Sequence, residues 1–331
     1  MMSTIKEANA LYRAGSYRDA LDCYLEISER HGWAALMHAN ITLCRKRLGL
    51  AVDTPEIIVT LTTIHSRLSY VPQVVHSLIN QTLQPVRIHL NISREPYLLD
   101  TGIAVDNPIL LDLIKLPRLQ INWVANTGPY RKIWHVLEDH FSKPEAQDKL
   151  FVTVDDDTLY PEYFLQRLYE KYLQHDCIIA FRGRHIEVEQ QTLSPYDSWT
   201  WGQDQSSLQN LPTGKDGILY NTKFFTKDFL NLAAAISHAP TADDLWIKWH
   251  CVLNGVPAVI LNPEACTSDY KSFPVVNFDK SYRSVSLYAH HNASGAKNKN
   301  NLTVQALESF YEKTYGYNLA WLIKAESGDL L

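Results

Sequence analysis

What this sequence has little of narrows it first. Its 331 residues include five cysteines, Cys23, Cys44, Cys177, Cys251 and Cys266, with no CxxC pair and no even framework. That excludes a disulfide scaffold and points to reduced, buried thiols in a cytosolic protein. The sequons at Asn40, Asn80, Asn91, Asn292 and Asn301 then carry no meaning, because such a chain does not meet the glycosylation machinery. No apolar run approaches the ~18 residues of a membrane span. Ile57–Leu61 and Val256–Leu261 are strand-sized, and Met1–Asn9 has no apolar signal-peptide core. Basic excess is missing too. Lys and Arg total 31 against 36 Asp and Glu, a formal charge of −5, which argues against a nucleic-acid protein. What is present is ordinary for a globular chain: 46% hydrophobic and 20% charged residues exclude wholesale disorder. The length suits about two domains, or one large domain with an appendage.

The pattern changes along the chain. Ala8, Tyr12, Gly15, Tyr17, Ala20 and Tyr24 have the spacing of a helix–turn–helix repeat, with helices near 4–14 and 17–30 broken at Gly15-Ser16. A third apolar-periodic stretch runs from Trp33 to Leu48. This is similar to one and a half tetratricopeptide units, a repeat used for protein contacts; the alternative is a helical cap on the next domain. Ala51-Val52-Asp53-Thr54-Pro55 reads as a linker, giving a helical segment over 1–50. From Glu56 strands and helices alternate: strands at Ile57–Thr62, Val86–Leu90, Leu119–Val124 and Leu150–Val154, helices at Val71–Gln81 and Tyr130–Phe141. Such alternation predicts α/β architecture with a Rossmann-like, mostly parallel sheet covered on both faces. Ligands gather at the carboxyl ends of the strands in these sheets, so chemistry is sought just after each strand.

The Leu150–Val154 strand ends in Asp155, Asp156 and Asp157. Three adjacent carboxylates repel one another, so a fold that places them at a strand end supplies a cation. On an extended chain alternate side chains share a direction, so Asp155 and Asp157 are expected to share one partner while Asp156 points elsewhere. Hard divalent ions, Mg²⁺ or Mn²⁺, suit this oxygen set, completed by substrate phosphates and water. The alternatives are a solvated acidic turn or an N-cap for a helix over Tyr160–Gln174. Thr60, Thr62 and Thr63 end the first strand, with Arg67 beyond. Asn126–Lys132 is a turn opening a helix, where backbone N–H groups and two cations can meet an anion. Asp243 and Asp244 precede an amphipathic helix, as catalytic groups or as a capping pair.

In their order and spacing, VTLTTIHSRL, SLINQTLQPVRIHL, GPYRKIWHVL, FVTVDDDTLYP, PTGKDGILYN and TADDLWIKWH resemble the motifs of bacterial glycosyltransferases of the A-type, nucleotide-diphospho-sugar fold. The likeness runs from about Ile57 to Tyr315 and is greatest to enzymes of capsule and lipopolysaccharide assembly. Capsule polymerases of the chondroitin- and hyaluronan-synthase type look similar at the front. The resemblance implies a transferase domain over 55–300 and a C-terminal helical segment over 301–331. Asp155 and Asp157 match the outer positions of the DxD motif, implying contact with the donor ribose and the diphosphate-bound metal, Mn²⁺ or Mg²⁺; Asp156 sits between them, beside the sugar or nucleotide. Thr60, Thr62 and Arg67 correspond to the base and ribose region, and Lys132 to a cation that follows it. Gly214 and Gly217 lie in a loop resembling the one that flanks the donor sugar. Asp243 and Asp244 match the paired acidic motif that supplies the general base in inverting members, with Asp244 the expected base. His290 or His291, with His291 preferred, falls where many such enzymes place a third metal ligand.

The implied reaction is transfer from a nucleoside-diphosphate sugar, expected to be UDP-linked, to a glycan or lipid-linked acceptor. It would run in the cytoplasm or peripherally at the inner membrane, with a protein partner docking on the N-terminal helices. Trp199, Trp201 and Trp246 are candidates for an acceptor platform, since aromatic faces cover the apolar faces of sugar rings; for any one of them the alternative is packing. Two other functions fit the sequence: a non-catalytic scaffold derived from a transferase, and a sugar nucleotidyltransferase. The latter usually opens with a glycine-rich loop after the first strand, and LTTIHSRL has no glycine.

Overall fold

The computed structural model describes residues 3–31, 34–50, 55–143, 146–262, 271–276 and 299–327. Among the described residues seven strands form the main sheet: β1 Ile57–Thr62, β2 Arg87–Ile92, β3 Leu119–Trp123, β4 Leu150–Thr153, β5 Ile178–Ala180, β6 Ile218–Asn221 and β7 Ala258–Ile260. Their order is β7-β5-β6-β4-β1-β2-β3. All pairs are parallel except those of β6, which runs antiparallel to both β4 and β5. The chain is therefore α/β with a mostly parallel sheet, as the strand–helix alternation predicts.

Both faces of the sheet are buried because its strands are apolar at odd and even positions alike. Period-2 alternation then sorts the side chains: Phe151, Ile178, Ile218 and Tyr220 enter one core, while Val152, Ile179 and Leu219 enter the other. One core is closed by α4 (Val71–Ile79), through Val71, Val74, Val75 and Leu78, and by α7 (Phe164–His175). The other is closed by α6 (Trp134–Phe141), α9 (Asp243–Leu253), α10 (Lys299–Tyr315) and α11 (Leu319–Ser327). Between β1 and α6 lies α5 (Pro108–Leu113), and α8 (Leu232–His238) precedes α9.

Three N-terminal helices, α1 (Ile5–Arg13), α2 (Tyr17–His31) and α3 (Ala34–Arg47), build a third, separate apolar cluster from Ala8, Ala20, Leu21, Tyr24, Ile27, Met37 and Cys44. Thr4 and Glu7 form a capping box at the start of α1, and Gly15, at φ +83°, breaks the pair where the sequence places the turn. Helix α3 approaches α7. The expected linker, apart from Pro55, lies outside the described residues. Among the described residues four cysteines are free: Cys44, Cys177 and Cys251 are buried and Cys23 is half-buried. None of the described helices is long and apolar enough to cross a membrane.

Helix α7 starts four residues later than its periodicity predicts. Thr158 pairs with Val275, and the Leu159 N–H donates to Pro274 O at 2.7 Å, so this stretch is committed to the segment 271–276 before Pro161 ends it. Nearby, Gly217 has φ +88°, and a Cβ there would lie 2.4 Å from the ring of the fully buried Phe164. Its glycine is a packing requirement. Gly217→Ala is expected to destabilise the fold by about 2–4 kcal/mol, from left-handed backbone strain plus overpacking. Urea unfolding should show a lowered midpoint at unchanged slope.

Candidate functional site

Strands β1, β2 and β4 are parallel neighbours, so their carboxyl ends share one edge of the sheet. A cavity of about 300 Å³ lies along that edge. Thr62, Thr63 and Arg67 line it after β1, Asp100 after β2, and Asp155, Asp156 and Asp157 after β4. Because β6 is antiparallel, its start faces the same edge and brings in Gly214 and Lys215. The turn Gly128–Lys132 contributes Arg131 and Lys132, and the start of α9 contributes Asp243 and Asp244.

The acidic triplet is neither a solvated turn nor a helix cap. Asp156 and Asp157 are 7% and 4% exposed, and α7 is capped by Tyr163 instead. Nor do the outer two share a partner. Strand β4 ends at Thr153, so the three aspartates sit in a turn where alternation no longer holds. Arg67 bridges Asp156, at 2.6 Å, and Asp157, while Lys132 Nζ donates to Asp155 Oδ1 at 2.5 Å. The Thr63 hydroxyl donates to Asp156 Oδ2 at 2.6 Å, and the Asp155 N–H donates to the Tyr160 hydroxyl at 2.8 Å. Burial alone would raise the Asp155 pKa, but the Lys132 charge and hydrogen bond hold it below the usual carboxylate value. Burial likewise opposes the Lys132 charge, and Asp155 and Asp243 reverse that and raise its pKa.

Arg131 is a second buried cation at the cavity. It pairs with Asp100 Oδ2 at 3.0 Å, both side chains being at most 2% exposed, and donates to Thr63 O. The Asp100 carboxylate also accepts from the N–H groups of His65 and Gly102 and from Asn126 Nδ2. Among the described residues, Nη1 of Arg131 is buried with no hydrogen-bond partner. The sequence offers Arg131 as one of two cations for an anion in the Asn126–Lys132 turn, but nothing in it marks the partner, Asp100. Asp100 follows an ordinary Leu98-Leu99 pair in a loop, so no local signal marks it.

Asp243 and Asp244 also line the cavity, as half-buried residues in the first turn of α9, where the helix dipole favours negative charge. Ala242 is the cap, so they are not a capping pair, although Asp244 Oδ1 accepts the Leu245 N–H at 2.9 Å. Desolvation raises both pKa values. For Asp243 the Lys132 charge counters it; for Asp244 the Asp243 charge adds to it, pushing Asp244 up to about 7.

Other expected residues fall elsewhere. Thr60 is fully buried away from the cavity, because its hydroxyl is committed to Lys132 O at 2.6 Å. Thr62 lines the cavity while donating to Asn91 O. Gly217 does not line it and packs against Phe164, whereas Gly214 does, with a hypothetical Cβ 3.4 Å from Lys132 Nζ. Trp199 and Trp246 are core residues, each 2% exposed, with indole N–H groups donating to Ser194 O and Phe229 O. Trp201 is exposed and stands beside Arg184, so the three tryptophans form no common platform; the aromatic side chains that the described residues bring to the cavity are Tyr97 and Tyr196. His290 and His291 lie outside the described residues.

Among the described residues no group of three His, Cys, Asp or Glu side chains forms a ready-made metal cage. Ions such as Mg²⁺ rarely need one, since they are held by one or two carboxylates plus substrate phosphates and water. The hard oxygens of Asp155 and Asp157 at the cavity wall fit that incomplete set.

No protein-family model and no curated protein matches the chain. Solved structures do match at low identity. S. aureus TarS 1-349 in complex with UDP-GlcNAc is 12% identical, with TM-score 0.43 over 80% of this chain and 73% of that one. The mannosyltransferase PcManGT from Pyrobaculum calidifontis, in complex with GDP-Man and Mn²⁺, is 13% identical, with TM-score 0.39 over 95% and 91%. A 4-diphosphocytidyl-2C-methyl-D-erythritol synthase is 11% identical, with TM-score 0.41 over 70% and 97%. The likeness is one of fold, and a loose one; the architecture of this chain rests on its own strand order.

The raised Asp244 pKa has a thermodynamic consequence. Its folded value lies above the unfolded one, so the stability it contributes is complete below pH about 4 and is lost as pH rises through about 7. Asp244→Asn is therefore expected to stabilise the fold at pH 8 by about 1–2 kcal/mol, after discounting for partial exposure, and to flatten the pH dependence between 4 and 7. Urea midpoints across that range check it.

Proposed function

We propose that this chain transfers a sugar from a nucleoside-diphosphate sugar, a UDP-sugar for preference, to the hydroxyl of a glycan or lipid-linked acceptor in bacterial surface polysaccharide synthesis. The observation that carries the reading is a single cavity lined both by the cation-bearing acidic triplet and by the Asp243-Asp244 pair. Burial and the Asp243 charge raise the pKa of Asp244 to about 7. A general base works best with a pKa near the operating pH.

Donor binding falls to the sheet edge. Arg67 and Lys132 take the diphosphate charge, and Arg131, with its spare Nη1 donor and its orientation fixed by Asp100, meets an acceptor atom of the donor. Asp155 and Asp157 would hold Mn²⁺ or Mg²⁺, with Asp156 beside them. Such an ion supplies Lewis-acid neutralisation of the leaving diphosphate. Thr62 and Gly214 shape the wall around the donor. Asp244 takes the proton of the acceptor hydroxyl as its oxygen bonds to the anomeric carbon, while the bond from that carbon to the diphosphate oxygen breaks. One displacement inverts the anomeric configuration. Asp243, close enough to Lys132 to feel its charge, helps to orient that cation. The N-terminal helices, with their own core, serve a protein contact at the cytoplasmic face of the membrane.

A screen of sugar nucleotides for hydrolysis, with Mn²⁺ and without, tests the reading. Turnover of one donor that stops with chelator supports it. Consumption of a nucleoside triphosphate and a sugar phosphate with release of pyrophosphate assigns nucleotidyl transfer instead, and no turnover of either kind leaves the scaffold reading. With a donor found, Asp244→Asn should slow transfer about 10²–10⁴-fold while nucleotide affinity stays within about twofold. Near wild-type turnover in that variant, with Asp243→Asn dead, would exchange the two roles.

A further inference from the structure

The acidic triplet already has its counter-charge. Lys132 and Arg67 hold all three carboxylates, and they come from two separate edge segments, the turn before α6 and the 3₁₀ turn His65–Tyr70 after β1. All five side chains are less than a quarter exposed, so solvent and salt screen these pairs weakly. A divalent ion arriving alone at Asp155 or Asp157 meets an ammonium or a guanidinium in the same small volume, and like charges at that range repel strongly.

A diphosphate reverses the balance. Its oxygens accept from both cations, with the two-pronged geometry that guanidinium favours. Lys132 has room to move, because the Gly214 side of its ammonium carries no side chain. As the cations turn to the phosphates, the carboxylate oxygens they leave become donors for a metal.

We propose that Lys132 and Arg67 are resident counter-ions of the triplet which a diphosphate draws off, so that this chain binds a divalent cation tightly only together with a diphosphate. The transferase reading supplies the identity of that diphosphate; the exchange follows from the charge arrangement. Linkage requires the effect to be mutual, with the metal tightening the diphosphate by the same factor.

Calorimetric titration of the full chain with MnCl₂, with and without saturating UDP and corrected for Mn²⁺–UDP association in solution, reads the coupling. Mn²⁺ affinity is expected to rise about 5–150-fold with UDP, the ordinary range for linked sites. Lys132→Met removes the competing cation, so it is expected to bind Mn²⁺ alone at least about fivefold more tightly than the wild type and to lose part of the coupling. Its melting temperature should also rise more with Mn²⁺ than that of the wild type. Unchanged or weaker Mn²⁺ affinity in a folded Lys132→Met overturns the proposal. Where that variant does not fold, Arg67→Gln carries the same expectation; where neither folds, wild-type Mn²⁺ affinity indifferent to UDP overturns it. Pyrophosphate in place of UDP separates the two readings. Coupling to pyrophosphate without binding of any sugar nucleotide keeps the exchange and removes the transferase, whereas sugar-nucleotide turnover without the Lys132→Met gain does the opposite.

Discussion

Three consecutive carboxylates at the end of a buried strand repel one another, and the surrounding structure answers that repulsion. Two of the cations at this edge, Arg131 and Lys132, depend on a turn whose backbone is pinned from below. The Thr60 hydroxyl donates to Lys132 O, and Asn91 Nδ2 donates both to Thr60 Oγ1 and to Arg131 O. Polar side chains on β1 and β2, fully inside the sheet layer, thus set the aim of two cations at its rim. Arg131 is held again by Asp100, itself fixed by backbone N–H groups from two loops. Buried polar networks of this kind specify one arrangement because leaving any member unpaired is costly.

Low local polarity acts in opposite directions on the two acidic groups. At the triplet it strengthens each ion pair, and Asp155 stays ionised against its burial. At α9 it finds two adjoining carboxyls with one shared cation nearby. Both receive some of that charge, but at Asp244 burial and the Asp243 charge outweigh it and push the pKa up to about 7. Residues of one type in one cavity are driven apart in proton affinity by their neighbours, the usual way a single fold obtains both an anion and a base.

The fold was legible because the sheet is built from short β-branched runs separated by helices with one apolar face, and Ile57–Thr62 and Val71–Ile79 carry those signals locally. The acidic clusters were legible for a similar reason: a run of Asp after an apolar strand is visible in one dimension. Partnership was not. Nothing near Asp155 in the chain announces Lys132, 23 residues earlier, and Arg67 reaches the triplet only because β1 and β4 are neighbours. Thr60 and Gly217 illustrate the converse error. Each has a residue type suited to a ligand, yet register turns Thr60 inward and Phe164 claims the space beside Gly217. Trp199 and Trp246 took the packing alternative that the sequence also offers, since a large aromatic residue is a core filler before it is a binding surface.

The antiparallel run of β6 divides the chain by how freely it can change. Strand β5 ends at Ala180 on the cavity edge and β6 begins at Ile218 on that same edge, so everything between leaves the sheet and returns to it without crossing. That excursion carries its own small sheet, formed by 183–185, 200–201 and 210–212, and is moored at its base by Asn210, which donates to Ala258 O. Length changes within that excursion leave the registers of β4, β5 and β6 untouched so long as they spare the side chains it sends into the core, such as Trp199 and Leu211. A single residue added directly after Thr153 would instead shift all three carboxylates from their cations. One edge of the sheet thus fixes chain length, and the excursion beside it leaves length free to vary.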